Sequence, residues 1–482
     1  MKRWIGLLGA AVLATGCGAG DFMTDQGFGA TPGGIKDMQF ARDLVTQGQV
    51  PPPDAILVEA MFSEHDLPLA GAPCETTLCL RGAVGVAPDL QGQSSAWAQI
   101  GMSSNIDPAT FERPPLAIVA TVDVSGSMGW GDASSTPGEI ARDLLVKISK
   151  ELEPTDSFAM VTYGDSVSTP IEWTSGDSPS IPAKIAELET DGSTNMEAGL
   201  KRAFELAHQM EGTGRQVRVM LFTDEQPNVG ATSASEFETM VKEASTGGVG
   251  LTVLGLGYGL GIDVMKGMSH LRGGNAFSLT NRDQVPGFME ENWPWFNIPI
   301  AYDLSVKAAP TAGLVIGQTY GFPQPAAGEP AMLDVSSVFL SKQRGALLLK
   351  LAPDQGHAIA SGDGVTLDLS YADPDGGKHA TTLAPSFDGA PLSEAGVAMP
   401  QPGISRAVSL ALFTSAMHDA VEAYQTNHTD AVTLFAPALD RLNADAVAAN
   451  DEDLAKEAEF WIKLLDLMQN NAPQGDLYGQ DY

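Results

Sequence analysis

Asp123, Ser125 and Ser127 stand at alternate positions of the run Asp123-Val124-Ser125-Gly126-Ser127-Met128 and offer one carboxylate and two hydroxyls. Gly126 lets so short a loop turn tightly enough for all three side chains to converge on one point. Hard oxygen donors in a small cage suit magnesium. Two further segments fit the same point: the apolar run Val217–Thr223 delivers Asp224 at its end, and Asp191-Gly192-Ser193-Thr194-Asn195 delivers Thr194 at the start of a helical pattern. Each residue also has a plainer use. Thr194 with Glu197 fits a helix-capping box, Ser127 fits a helix cap, and Asp123 and Asp224 fit strand-end turns. Taken jointly, their placement at strand ends and their order along the chain favour a metal site.

The elements that must position these residues lie between about 113 and 292, where apolar runs alternate with helical-period segments. That alternation predicts an α/β domain, doubly wound on a mostly parallel sheet. Leu116–Val122, Phe158–Tyr163, Val217–Thr223 and Leu251–Leu256 are continuous apolar runs of the kind buried on both faces. Thr136-Pro137-Gly138-Glu139 is a capping box that opens a helix with Ile140, Leu144, Ile148 and Leu152 along one face. Met196, Leu200 and Phe204 repeat in the same way. Asp123 then falls at the carboxyl end of a buried parallel strand, where ligand sites of such sheets lie.

These segments resemble the metal-ion-dependent adhesion site of the von Willebrand factor type A family, whose pattern is Asp-x-Ser-x-Ser, a distant Thr and a distant Asp. Gly192-Ser193-Thr194-Asn195-Met196-Glu197-Ala198-Gly199-Leu200 and Leu221-Phe222-Thr223-Asp224-Glu225 look like the family's second and third segments. The resemblance covers about 115–290. It implies that Ser125 and Ser127 ligate the ion directly, that Thr194 and Asp224 trade direct and water-mediated roles, and that Asp123 holds the site directly or through water. Magnesium is the expected ion, with manganese or calcium as alternatives, and a carboxylate from a protein ligand completes its octahedron. Trp130 and Asp132 follow the metal loop, and Glu225 stands where the family usually has glycine, so these three are candidates for ligand contact. The flanks resemble, more loosely, bacterial lipoproteins built around such a domain.

Composition bounds the partners. A formal net charge of −33 over 482 residues argues against nucleic acid and against anionic lipid surfaces. Met1-Lys2-Arg3-Trp4 leads into an apolar run from Ile5 to Ala14 and then Thr15-Gly16-Cys17, a secretory signal in which small residues precede a cysteine as in a lipobox. Residues 1–16 are therefore expected to be removed and Cys17 to carry a lipid anchor, placing the protein in a bacterial cell envelope, with the outer membrane or cell surface favoured. Cys74 and Cys79 are the remaining cysteines, and an oxidising compartment would let them pair. Zinc is the weaker reading of that pair, because no nearby His or Cys completes a ligand set.

Residues 17–54 read as a flexible tether rich in Gly and Pro, 55–112 as a β-rich region, and 293–400 as a β-sandwich-like domain that can pair with the earlier strands. Residues 401–470 read as a helical segment, with Leu410, Phe413, Met417 and Tyr424 on one helix and Leu454, Ala458, Trp461 and Leu465 on another, and 471–482 as a disordered tail. Other motifs fail on detail. Gly255-Leu256-Gly257-Tyr258-Gly259-Leu260-Gly261 misses the last glycine of a dinucleotide fingerprint, and the seven histidines show no metalloprotease spacing. The reading is of a non-enzymatic envelope lipoprotein that binds a protein through a divalent cation. The alternative is a structural envelope component or an enzyme-complex subunit with a vestigial or accessory metal site.

Overall fold

The structure, a computed structural model, describes residues 29–32, 38–107, 110–130, 135–224, 239, 248–257, 274–341, 344–354, 356–389 and 397–475. In chain order it begins with β1 (Gly29–Pro32), α1 (Gln39–Thr46), α2 (Val58–Glu64), β2 (Cys79–Pro88) and β3 (Ser94–Ser103). The α/β part follows: β4 (Leu116–Asp123), α3 (Pro137–Glu151), β5 (Ser157–Tyr163), β6 (Val167–Ser175), α4 (Ser180–Ala186), α5 (Met196–His208), β7 (Gln216–Thr223), β8 (Gly250–Leu256), β9 (Asn275–Leu279) and α6 (Gln284–Phe296). The remainder is β10 (Pro299–Pro310), β11 (Leu314–Tyr320), β12 (Ala331–Ser341), β13 (Leu347–Pro353), β14 (Val365–Ala372) and β15 (Lys378–Leu383), then α7 (Pro402–Tyr424), α8 (His428–Ala449) and α9 (Glu452–Gln469).

Six strands in the order β6-β5-β4-β7-β8-β9 form the α/β sheet, parallel except for the antiparallel edge strand β6. Every residue of β4 is buried, because side chains alternate between two covered faces. Ile118, Ala120 and Val122 pack with α3 on one face, while Ala117 and Val119 pack with α5 on the other. Helix α3 starts as its sequence predicts, with the Thr136 side chain accepting the Glu139 N–H and Pro137 in the first turn.

The two β-rich stretches join in one antiparallel nine-stranded sheet, ordered β11-β13-β3-β1-β12-β10-β14-β15 with β2 on β3. It coils over in sandwich-like fashion, so that Val84, Ala98 and Leu349 share a core with Val306, Leu367 and Leu369. Trp97 and Leu348 point the other way, into a core made with the C-terminal helices. Arg218 of β7 fastens the α/β part to this sheet. It is fully buried, donates to the Asn297 carbonyl at 3.2 Å and to the Thr252 hydroxyl at 2.9 Å, and lies 5.4 Å over the Phe339 ring.

Four expectations need correction. The stretch 17–54 is not a bare tether: β1 pairs with β12, and α1 buries Ala41, Leu44 and Val45. Eight residues are too few for an independent helix, so α1 depends on α9, where Arg42 pairs with Glu457 at 2.9 Å and faces Phe460 and Trp461. The region 55–112 includes the helix α2 beside its strands. Three C-terminal helices stand where two were expected, the middle one carrying Pro437 inside it. The start of the tail is held, since Val50 donates to the Pro473 carbonyl at 2.9 Å and accepts from Gly475 at 2.8 Å. The Tyr424 hydroxyl also donates to the Ala472 carbonyl at 2.8 Å.

Candidate metal centre

Parallel pairing of β4 with β7 sets Val122 opposite Phe222, so Asp123 comes alongside Thr223 and Asp224 follows just beyond the strand. The chain leaves β4 toward β5 and β6 on one side and returns as β7 on the other. Helices α3 and α5 cover opposite faces, and the loops to them diverge, which opens a crevice at the carboxyl ends of β4 and β7.

Within that crevice Asp123 Oδ1 accepts the Ser125 N–H at 2.9 Å, and Oδ2 accepts the Thr223 hydroxyl at 2.9 Å. Ser125 Oγ lies 3.0 Å from Ser127 Oγ, and Ser127 Oγ donates to Asp224 Oδ1 at 3.1 Å. The structure thus brings Asp123, Ser125, Ser127 and Asp224 into one cluster. Thr194 sits on the neighbouring loop, which is stitched to the first by Gly126 N–H to the Gly192 carbonyl at 3.0 Å and Asp191 N–H to the Val124 carbonyl at 2.8 Å. All five side chains are buried, at 0 to 7% exposure.

The helix-capping uses of Thr194 and Ser127 are not realised, whereas Asp123, accepting the N–H two residues on, does make a strand-end turn. Asn195 caps α5, its side chain accepting the Ala198 N–H, so Thr194 is not the cap. A short 3-10 turn over Gly126–Gly129 follows Ser125, yet no side-chain cap bond forms there. The Ser125 and Ser127 hydroxyls instead face each other and Asp224.

The donor set fits a small hard cation. Two ligands at right angles on magnesium, each about 2.0–2.1 Å from it, stand about 2.9 Å apart, and the Ser125–Ser127 and Ser127–Asp224 oxygens are separated by 3.0 and 3.1 Å. Burial pushes the Asp123 carboxyl up from its ordinary value, against the bonds from Ser125 and Thr223. The fully buried Tyr163 phenol is pushed well above its usual range by burial and by the charges of Asp123 and Asp224. The Asp123 shift marks burial, and the Tyr163 shift marks burial first and the two neighbouring carboxylates second.

Sequence reasoning missed three supports. Thr223 orients Asp123. Tyr163 ends β5 in register with Asp123, a position that the strand alignment alone would have flagged. Asp165 anchors the Thr194 loop, its Oδ1 accepting both the Ser193 N–H at 2.8 Å and the Ser193 hydroxyl at 2.6 Å. Trp130, just past the metal loop, is 61% exposed. Asp132, Glu225 and Cys17 lie outside the described residues. Cys74 and Cys79 are joined in a disulfide at the start of β2, with Cα atoms 5.7 Å apart.

Residues 118–226 match the family model for the von Willebrand factor type A domain. The chain is 30% identical to the protein YfbK of Escherichia coli over 222 residues, which cover 45% of this chain and 38% of that protein. It is 27% identical to the inter-alpha-trypsin inhibitor heavy chain H1 of Mesocricetus auratus over 164 residues, 32% of this chain and 17% of the relative. The match therefore spans well under half the length of either relative. Among solved structures, a von Willebrand factor type A protein from Catenulispora acidiphila is similar over 80% of this chain and 89% of its own, at 13% identity and a TM-score of 0.45.

Proposed function

Because this chain carries a von Willebrand factor type A domain, we propose that Asp123, Ser125, Ser127, Thr194 and Asp224 hold a divalent cation, magnesium before manganese or calcium, and that the domain binds a carboxylate of a protein ligand there. Such domains are protein-interaction modules, often metal-dependent. The observation that carries the reading is the run of oxygens from Ser125 through Ser127 to Asp224 at spacings suited to adjacent positions on magnesium. When bound, the ion supplies a strong, directional bond to an incoming carboxylate. Ser125 and Ser127 offer neutral hydroxyls, so they position the ion while leaving its charge unspent. Asp123, tied to Ser125 and Thr223, keeps the loop shaped for this, and Trp130 stands exposed beside the site to meet the ligand's flank.

No catalytic role is assigned to any residue. The leader ending at Cys17 supports lipidation of that cysteine and a place in the bacterial cell envelope. The decisive test is calorimetry on the purified protein. Magnesium should bind the parent and not Asp123→Ala, and a short glutamate-bearing peptide should then bind only with magnesium, its glutamine counterpart not at all. Equal peptide binding in chelator would sink the proposal. Metabolic labelling with palmitate, lost in Cys17→Ala, tests the anchor.

A further inference from the structure

A second concavity, of about 620 Å³, opens along β9, the edge strand of the α/β sheet. It lies where α1, α2, β9, α6, β12 and α9 meet, the kind of junction at which small-molecule sites form, and its volume falls in their range. Helix α6 turns one face to it: Gln284, Gly287, Phe288, Glu291, Asn292 and Trp295 recur at helical spacing, while Val285, Met289 and Trp293 go into the core.

The lining has two chemical halves. Phe277, Phe288 and Phe296 form an aromatic wall, with the Phe277 ring 5.0 Å from Phe288 and 5.2 Å from Phe296. Opposed to it in character are the carboxylates Glu64, Glu291 and Glu457, with Arg42 as the one cation of the lining among the described residues. Arg42 is engaged by Glu64 at 2.5 Å and Glu457 at 2.9 Å. Glu291 is exposed and, among the described residues, makes no ion pair or hydrogen bond. A carboxylate beside aromatic faces attracts an ammonium twice over, through a charge-assisted hydrogen bond and through the ring quadrupoles.

We propose that this cavity binds a small organic ammonium whose apolar body lies against the phenylalanine wall and whose cationic head meets Glu291. A neutral analogue keeps only the apolar contact, and an anionic one meets excess negative charge inside a chain of net charge −33. The site uses none of the five residues of the metal centre, so it operates in chelator and stands or falls apart from the reading above.

The test titrates 2-phenylethylammonium, 2-phenylethanol and phenylacetate into the full chain, with chelator present throughout. The ammonium should bind roughly tenfold or more tightly than the alcohol, the worth of one charge-assisted hydrogen bond, and phenylacetate should not bind. Glu291→Gln should lose about that tenfold and leave the alcohol unchanged. Gly287→Leu is the steric test. A Cβ at Gly287 meets nothing within 4 Å, so the new side chain grows into the cavity without clash, and leucine suits a helix better than glycine. This variant should melt no lower than the parent and lose ammonium binding. Equal affinity for the three probes, absence of ammonium binding, or undiminished binding in folded Gly287→Leu each overturns the proposal.

Discussion

Ser127 Oγ donates to Asp224 Oδ1 across 3.1 Å and so links positions 97 residues apart in the chain. That bond spans the gap between two parallel strands at the point where the sheet changes direction, and it brings one oxygen of each residue into the same small volume. The two groups satisfy each other here, and in the proposed site both oxygens would turn to the cation instead.

The first prediction concerns that exchange. Magnesium at a hundredfold excess over its Kd should stabilise the parent by about 2.7 kcal/mol, read as a rise in Tm. Asp224→Ala should abolish the rise. Asp123→Asn, which removes a buried charge, should melt no lower than the parent in chelator, since burial already disfavours that carboxylate. A large loss of stability in chelator would contradict this account of the pocket.

Thr194 and Asn195 divide two duties that the sequence offers to Thr194 alone. Asn195→Ala should destabilise the fold by about 1 kcal/mol through loss of the α5 cap and leave magnesium affinity untouched. Thr194→Val should weaken magnesium affinity, and Thr194→Ser should restore it. Calorimetry beside urea melts separates these outcomes, and a Thr194→Val variant with parental affinity would remove Thr194 from the site.

Gly199 should tolerate no side chain. A Cβ there would lie 2.5 Å from the Tyr163 ring, which the close approach of α5 to β5 leaves no room for. Gly199→Ala is expected to lower stability by about 1–3 kcal/mol, the usual effect of overpacking. Because Tyr163 borders Asp123 in the sheet, its displacement should also weaken magnesium binding in the same titration.

Acid should loosen the N-terminal helix. Burial alone would raise the Glu457 carboxyl, but the hydrogen bond with His65 and the charge of Arg42 outweigh it and hold the group at about 2, down from an ordinary 4.5. The folded value is depressed, so this stability is fully present above about pH 4.5 and is lost as pH falls toward 2. The amount is on the order of 3 kcal/mol. Glu457→Gln should flatten the dependence of Tm on pH across that window, and an unchanged profile would refute the assignment.

Trp130 is large, apolar and 61% exposed beside the metal loop. Trp130→Ala should leave Tm and magnesium affinity as they are and reduce binding of the glutamate peptide several-fold, the effect of losing an aromatic contact at an interface. Unaltered peptide affinity would place the ligand elsewhere on the crevice.

Much of the α/β part was legible because its strands are unbroken apolar runs and Thr136 caps its helix openly. Asp123 and Asp224 could be placed because each ends such a run. Thr223 and Asp165 were not legible, since they act through side-chain and loop contacts that no local pattern encodes, whereas Tyr163 could have been found by aligning the ends of β4 and β5. Helix α1 hid for a related reason: its apolar face is short, and what buries it comes from the other end of the chain. The boundary between α8 and α9 rests on Asn450 in the left-handed region, φ 51°, followed by Asp451 as the cap of α9, a turn too brief for periodicity to reveal.

The contact of Arg42 with Glu457 spans 415 positions, and Val50 is bracketed by Pro473 and Gly475. Segments several hundred residues apart in the chain therefore complete one another's packing. Closure over such sequence distances is slow to search for, so the central sheet can be complete while α1 still waits for α9.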